Sequence, residues 1–132
     1  MSDHDQHLLV ANAAFYTAFS EQDLESMEEI WAQSDLVACI HPGWGALHGR
    51  RAVMESWRTI LGGEDALKIH FTRARVYRRE HLAFVPCLEH LPNGTLVSTN
   101  IFVLEDDNWK MVHHHAGPAP PAADELASEL LN

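Results

Sequence analysis

Trp109-Lys110-Met111-Val112-His113-His114-His115-Ala116-Gly117-Pro118 is the stretch on which the reading of this chain turns. Read as a strand, it alternates side chains with period two, so His113 and His115 share one face with Trp109 and Met111, and His114 faces the other way with Lys110 and Val112. Two imidazoles then project with large apolar groups into a hydrophobic hollow. The expectation is a pocket lined by His113 and His115.

Upstream of that strand the chain is β-rich. Lys68 to Arg79 alternates as one strand, Leu82 to Leu91 as a second and Thr95 to Leu104 as a third. Pro92-Asn93-Gly94 and Glu105-Asp106-Asp107-Asn108 supply the turns, which makes a meander. The first half is helical. Asp3 can cap a helix to about Phe19 whose buried stripe is Leu8, Asn12, Phe15, Tyr16 and Phe19. Asp23 can cap a second helix with Leu24, Met27, Ile30 and Trp31 inward, and a third runs from about Arg50 to Leu61, stopped by Gly62-Gly63. Between them Leu36 to Ile40 reads as a short strand ended by His41-Pro42-Gly43, where the missing donor of proline and the freedom of glycine turn the chain. Helices first and strands later make an α+β domain, with helices packed on one face of a mostly antiparallel sheet. One domain is expected over residues 1–118, with a Pro/Ala-rich tail over 119–132 and a short helix at Asp124 to Leu131.

The chain has 132 residues, 46% hydrophobic and 21% charged, which suits a single soluble domain. No apolar run approaches the ~20 residues that span a bilayer, and the N-terminus lacks the basic and apolar regions of a secretion signal, so no membrane partner and a cytoplasmic location are expected. Cys39 and Cys87 form no CxxC pair and are expected reduced and buried. A net charge of -10 with no Lys or Arg before Arg50 argues against a nucleic-acid partner. Eight of the nine basic residues lie between Arg50 and Arg79, either as a solvated face or as a way to steer a small anion.

This order of elements resembles the nuclear transport factor 2-like superfamily. Ala14-Phe15-Tyr16-Thr17-Ala18-Phe19, Asp23-Leu24-Glu25-Ser26-Met27, Pro42-Gly43 and Leu47-His48-Gly49-Arg50 with Val53 and Trp57 are similar to its SnoaL-like branch. Thr99-Asn100-Ile101-Phe102 and the segment from Trp109 to Pro118 are similar both to that branch and to the association domain of calcium/calmodulin-dependent kinase II. The resemblance implies a cone-shaped α+β fold in which helices and a curved sheet enclose a pocket. Its members include isomerases, dehydratases, epoxide hydrolases, cyclases and proteins that only bind or assemble, so the fold is a weak guide to chemistry. In ketosteroid isomerase the residue before the proline after the first strand is the aspartate base, and here that position is His41. The oxyanion tyrosine of that enzyme falls on Phe15, with Tyr16 beside it.

His41, at a strand end, is the general-base candidate, since an imidazole exchanges protons near neutrality. Alternatively its ring stiffens the turn. His113 and His115 can act as pocket donors, serve as structural or interface residues, or, with Cys39, His41 or Glu89, approach a metal. No dense ligand motif is present, so no metal or cofactor is expected. Glu89 shares parity with Val85 and Cys87. If that face looks inward, its carboxyl is desolvated and can pair with a histidine in acid/base work; if not, it is a solvated strand-end charge. Asn100 is a poor strand former in mid-strand, and a buried amide needs a partner. With Phe102, Tyr16, Trp44 and Trp57 it is a candidate ligand contact, although aromatic residues at helical spacing also serve as core.

Two functions fit: a cofactor-independent isomerase, cyclase or dehydratase acting on a small hydrophobic or carbonyl-bearing molecule by histidine acid/base chemistry, or a ligand-binding or assembly module like the kinase domain. A homodimer is expected in either case.

Overall fold

A computed structural model describes residues 2–65 and 67–120; the expected helix at Asp124 to Leu131 lies outside the described residues. Helix α1 spans Asp3–Ser20, and its cap is Ser2, one residue before the expected Asp3, through a bond from the Asp5 amide to the Ser2 hydroxyl. Helix α2 spans Leu24–Ile30 under an Asp23 cap, whose side chain accepts from the Ser26 amide and hydroxyl. Helix α3 spans Arg50–Leu61 and stops at Gly62. The Arg50 guanidinium donates to the Glu28, Trp31 and Ala32 carbonyls, tying α3 to the end of α2.

The strands are β1 (Ala38–Ile40), β2 (Leu47–His48), β3 (His70–Thr72), β4 (Tyr77–Arg79), β5 (Leu82–Leu91), β6 (Gly94–Glu105) and β7 (Asn108–Pro118). They form one mixed sheet in the order β2-β1-β7-β6-β5-β3, with β4 also on β5. The meander β5-β6-β7 stands as expected. Its second turn is a two-residue hairpin in which Asp106 and Asp107 both have positive φ, 49° and 64°, the geometry that follows the sheet's twist. β1 runs parallel to β7, which brings the His41 turn beside the histidine strand.

Two expectations are corrected. The single strand from Lys68 to Arg79 is two short strands paired with opposite ends of β5. Between them the Arg75 amide donates to the Pro86 carbonyl. Groups of one residue point to the same edge, so the donor that Pro86 lacks is missing from this ladder, and the pairing breaks there.

The second correction concerns β7. Its register against β6 shifts between Met111, opposite Phe102, and His113, opposite Ile101. Val112 is thus one residue too many on β7, a β-bulge, and a one-residue slip turns every later side chain to the other face. Trp109 and Met111 point to the core, but after the bulge the inward residues are His114 and Ala116. His113 and His115 therefore sit on the convex face, not in the hollow.

The core lies between the concave face of the sheet and the helices. Trp31, Trp57, Phe15, Phe102, Leu8, Met27 and Met111 are fully buried there. Phe15 and Phe19 meet Trp57 edge to face, with ring centroids at 5.4 and 5.1 Å.

Candidate functional site

Three titratable side chains from different strands and turns converge on one hollow. His41 follows β1, Glu89 comes from the inward face of β5, and His114 comes from β7 beyond the bulge. All three line a cavity of about 450 Å³. Its walls are apolar, with Phe19, Ile60, Leu67, Ile69 and Leu91 among them, and Trp44, Asn93 and Thr95 also border it. The described residues lining it include no Lys or Arg. This size and this mixture of apolar wall with a few polar groups suit a small organic ligand.

A hydrogen-bonded chain lies behind the cavity. The Tyr16 hydroxyl donates to Glu89 Oε2 at 2.5 Å. With its proton given away, the Tyr16 oxygen accepts from Ser98 Oγ at 2.9 Å and from Asn100 Nδ2 at 3.1 Å. Asn100 Nδ2 also donates to Asn12 Oδ1 at 2.9 Å, and Asn100 Oδ1 meets His114 Nδ1 at 2.6 Å. On the other side, His41 Nε2 lies 2.8 Å from Ser56 Oγ, whose own proton goes to the Val53 carbonyl.

Burial sets the protonation states. It pushes His41 down to about 4. It pushes His114, 1% exposed, to about 3, helped by His41, His113 and His115. Glu89, also 1% exposed, is raised by burial, with the neighbouring Tyr16 and Ser98 hydroxyls opposing the rise. The Tyr16 phenol lies well above its ordinary value, and the Cys39 thiol is pushed up to about 12, both chiefly by burial. Glu89 Oε2 and His114 Nε2 are 3.9 Å apart, too far for a hydrogen bond. Burial shifts both groups toward their neutral forms, the direction that avoids the desolvation cost of a buried ion pair.

His41, Glu89 and Trp44 line the cavity; Glu89 takes the inward of the two orientations left open for it, and Trp44 remains 44% exposed. His113 and His115 do not line it. His113 Nδ1 donates to the Ala38 carbonyl at 3.1 Å across the β1–β7 pairing, and His115 is exposed. Trp57 and Phe102 are core, while Tyr16 and Asn100 stand one layer behind the cavity wall and hold its histidine and carboxyl in place. Sequence reasoning missed His114, Ser56, Ser98 and Asn12. Signals existed for two of them: Met111 and Ala116 are apolar at opposite parity, which one regular strand cannot bury on one face and which would have turned His114 inward, and Asn12 is an amide inside an apolar helix stripe. Among the described residues no group of three or more His, Cys, Asp or Glu side chains could hold a metal ion.

A SnoaL-like domain model matches residues 8–121. The chain belongs to the SnoaL-like family. A SnoaL-like chain of this kind shares the nuclear transport factor 2-like fold with a provisionally assigned dehydratase of that family from Streptomyces avermitilis. The two are 30% identical with a TM-score of 0.81, over 89% of this chain and 96% of the other. A provisionally assigned calcium/calmodulin-dependent protein kinase type II association domain from Thiobacillus denitrificans is 33% identical with a TM-score of 0.78, over 85% of this chain and 94% of that one. The F-box protein SKIP8 of Arabidopsis thaliana is 27% identical over 111 residues, which are 83% of this chain and 48% of that protein. This SnoaL-like chain thus spans about half the length of the curated relative it matches. No helix among the described residues is long and apolar enough to cross a membrane.

Proposed function

We propose that the cavity carries out acid/base chemistry on a small carbonyl-bearing molecule, as an isomerase, cyclase or dehydratase does, with no cofactor. The observation that carries this reading is the meeting of His41, His114 and Glu89 at one apolar cavity, the two imidazoles held neutral and the carboxyl held toward its protonated form. A neutral imidazole accepts a proton from carbon next to a carbonyl. A protonated carboxyl gives one to the carbonyl oxygen or to a leaving hydroxyl, so the substrate carries no net charge; the imidazolium and carboxylate left behind are restored when the protons return. His41 and His114 are the acceptors in this scheme and Glu89 the donor. Water-poor surroundings strengthen each of these contacts.

The similarity to a kinase association domain supports a second reading, a binding or assembly module. The exposed Leu82, Phe84 and Val97 on the convex face would then be covered in a homodimer.

Incubation of the protein with cyclic and aromatic ketones and hydroxy-ketones in deuterium oxide, followed by proton NMR, separates the two. The enzyme reading expects carbon-bound hydrogen exchange, or loss of water, that falls about 100-fold or more in His41→Gln and Glu89→Gln. Compounds that bind without exchange in the wild type, or exchange that survives both substitutions, would remove the acid/base role.

A further inference from the structure

With the Asn12 and Asn100 amides oriented as they are, the bonds behind the two cavity histidines set where each carries its proton. Ser56 Oγ spends its only hydrogen on the Val53 carbonyl at 2.6 Å, so toward His41 it can only accept. Neutral His41 is therefore protonated on Nε2 and keeps its lone pair on Nδ1, with the Cys39 sulfur 3.6 Å from the first nitrogen and 3.9 Å from the second. For His114 the logic is reversed. Asn100 turns its amide nitrogen to two acceptors, Asn12 Oδ1 and the Tyr16 hydroxyl, and its carbonyl oxygen to His114 Nδ1 at 2.6 Å. That nitrogen must donate, and the lone pair stands on Nε2.

We infer that Ser56 and Asn100 are positioning residues that hold His41 and His114 in opposite neutral tautomers, so the cavity meets its ligand with two imidazole acceptors and selects an uncharged molecule bearing hydroxyl donors. The lining agrees with this choice. No Lys or Arg among the described lining residues offers a counter-charge to an anion, and the remaining wall is mostly apolar. A hydroxyl satisfies an imidazole lone pair, an ether oxygen leaves it unpaired, and a carboxylate sets a negative charge against two lone pairs. The consequence rests on the cavity being the ligand site, as proposed above; the tautomers themselves do not.

Histidine-labelled protein read by nitrogen-15 NMR tests the first half directly. His41 is expected to show a protonated Nε2 and a bare Nδ1, and His114 the reverse. Asn100→Ala should remove the Nδ1 preference of His114 and leave His41 as it was; Ser56→Ala should loosen His41 alone. Equal tautomers in the wild type, or a His114 pattern unchanged in Asn100→Ala, would overturn the assignment, and the wild-type spectrum decides this even where a variant fails to fold.

Binding of 2-naphthol, 2-methoxynaphthalene and 2-naphthoate, three probes on one frame, tests the second half. The naphthol should bind about tenfold or more tightly than either of the others, the equivalent of one well-made hydrogen bond. Equal binding, or preference for the carboxylate, would overturn the ligand class. Opposite tautomers and naphthol preference without any turnover would support this inference while removing the catalytic reading.

Discussion

The two faces of β7 carry the same side chain and give it different chemistry. On the concave face His114 is enclosed by Phe15 and Trp57, bonded to Asn100, and pushed to about 3. On the convex face, one residue before it and one after, His113 bonds the Ala38 carbonyl and is lowered by its partial burial, while His115 stands exposed. Residue type is constant across the three positions, so environment alone separates a buried network member from a strand clip and a surface ring. The bulge at Val112 decides which histidine receives which role.

Acidification should expose this difference most strongly. In the unfolded chain both inner histidines take a proton near 6.5, whereas in the folded protein His41 waits until about 4 and His114 until about 3. Between those values the unfolded state holds more protons, so stability rises with pH and is lost as pH falls below about 6.5. His41 alone accounts for on the order of 3 kcal/mol of that loss. Glu89 acts in the opposite sense, because its folded carboxyl keeps the proton above the ordinary value of 4.5 and so weakens folding as pH rises past it. Urea titrations from pH 7 to 4.5 should show a net loss for the wild type and a shallower one for His41→Gln. A flat wild-type profile would count against burial as the cause.

Next in size is His114→Ala at pH 7. It removes a ring from the core and leaves the Asn100 carbonyl without its donor, at a cost of about 2–3 kcal/mol. His113→Ala should cost about 1 kcal/mol, the value of one bond to a partly buried carbonyl. His115→Ala should stay within about 0.5 kcal/mol, as surface changes usually do. Denaturation midpoints of these three variants would rank them in that order. Equal losses at 114 and 115 would mean that the two faces are not distinguished as described.

Local chemistry was legible where it depended on neighbours in the chain. The Asp23 cap, the Gly62 stop, the Pro92-Asn93-Gly94 and Asp106-Asp107 turns and the shared face of Val85, Cys87 and Glu89 follow from short-range rules, whereas which way that face looks was decided by packing. Asn100 was legible as a buried amide in need of partners, though not what those partners are. Asn12 and Tyr16 lie 88 and 84 residues from it in the chain, and no local pattern links them. The phase of β7 failed because three identical residues carry no contrast from which to read alternation, and a single extra residue reverses it.

By itself the sequence determined the family, the three helices followed by the long meander strands, and the placing of His41 at a strand end and of Glu89 in one parity set with Val85 and Cys87, because periodicity, caps and turn residues act over a few bonds. Only the tertiary structure decided that His114 is the third member, and that Ser56 and Asn100 set the protons of the site. Those outcomes depend on how β7 is registered against β6 and on which helices close over the sheet, and both are settled by packing between segments far apart in the chain.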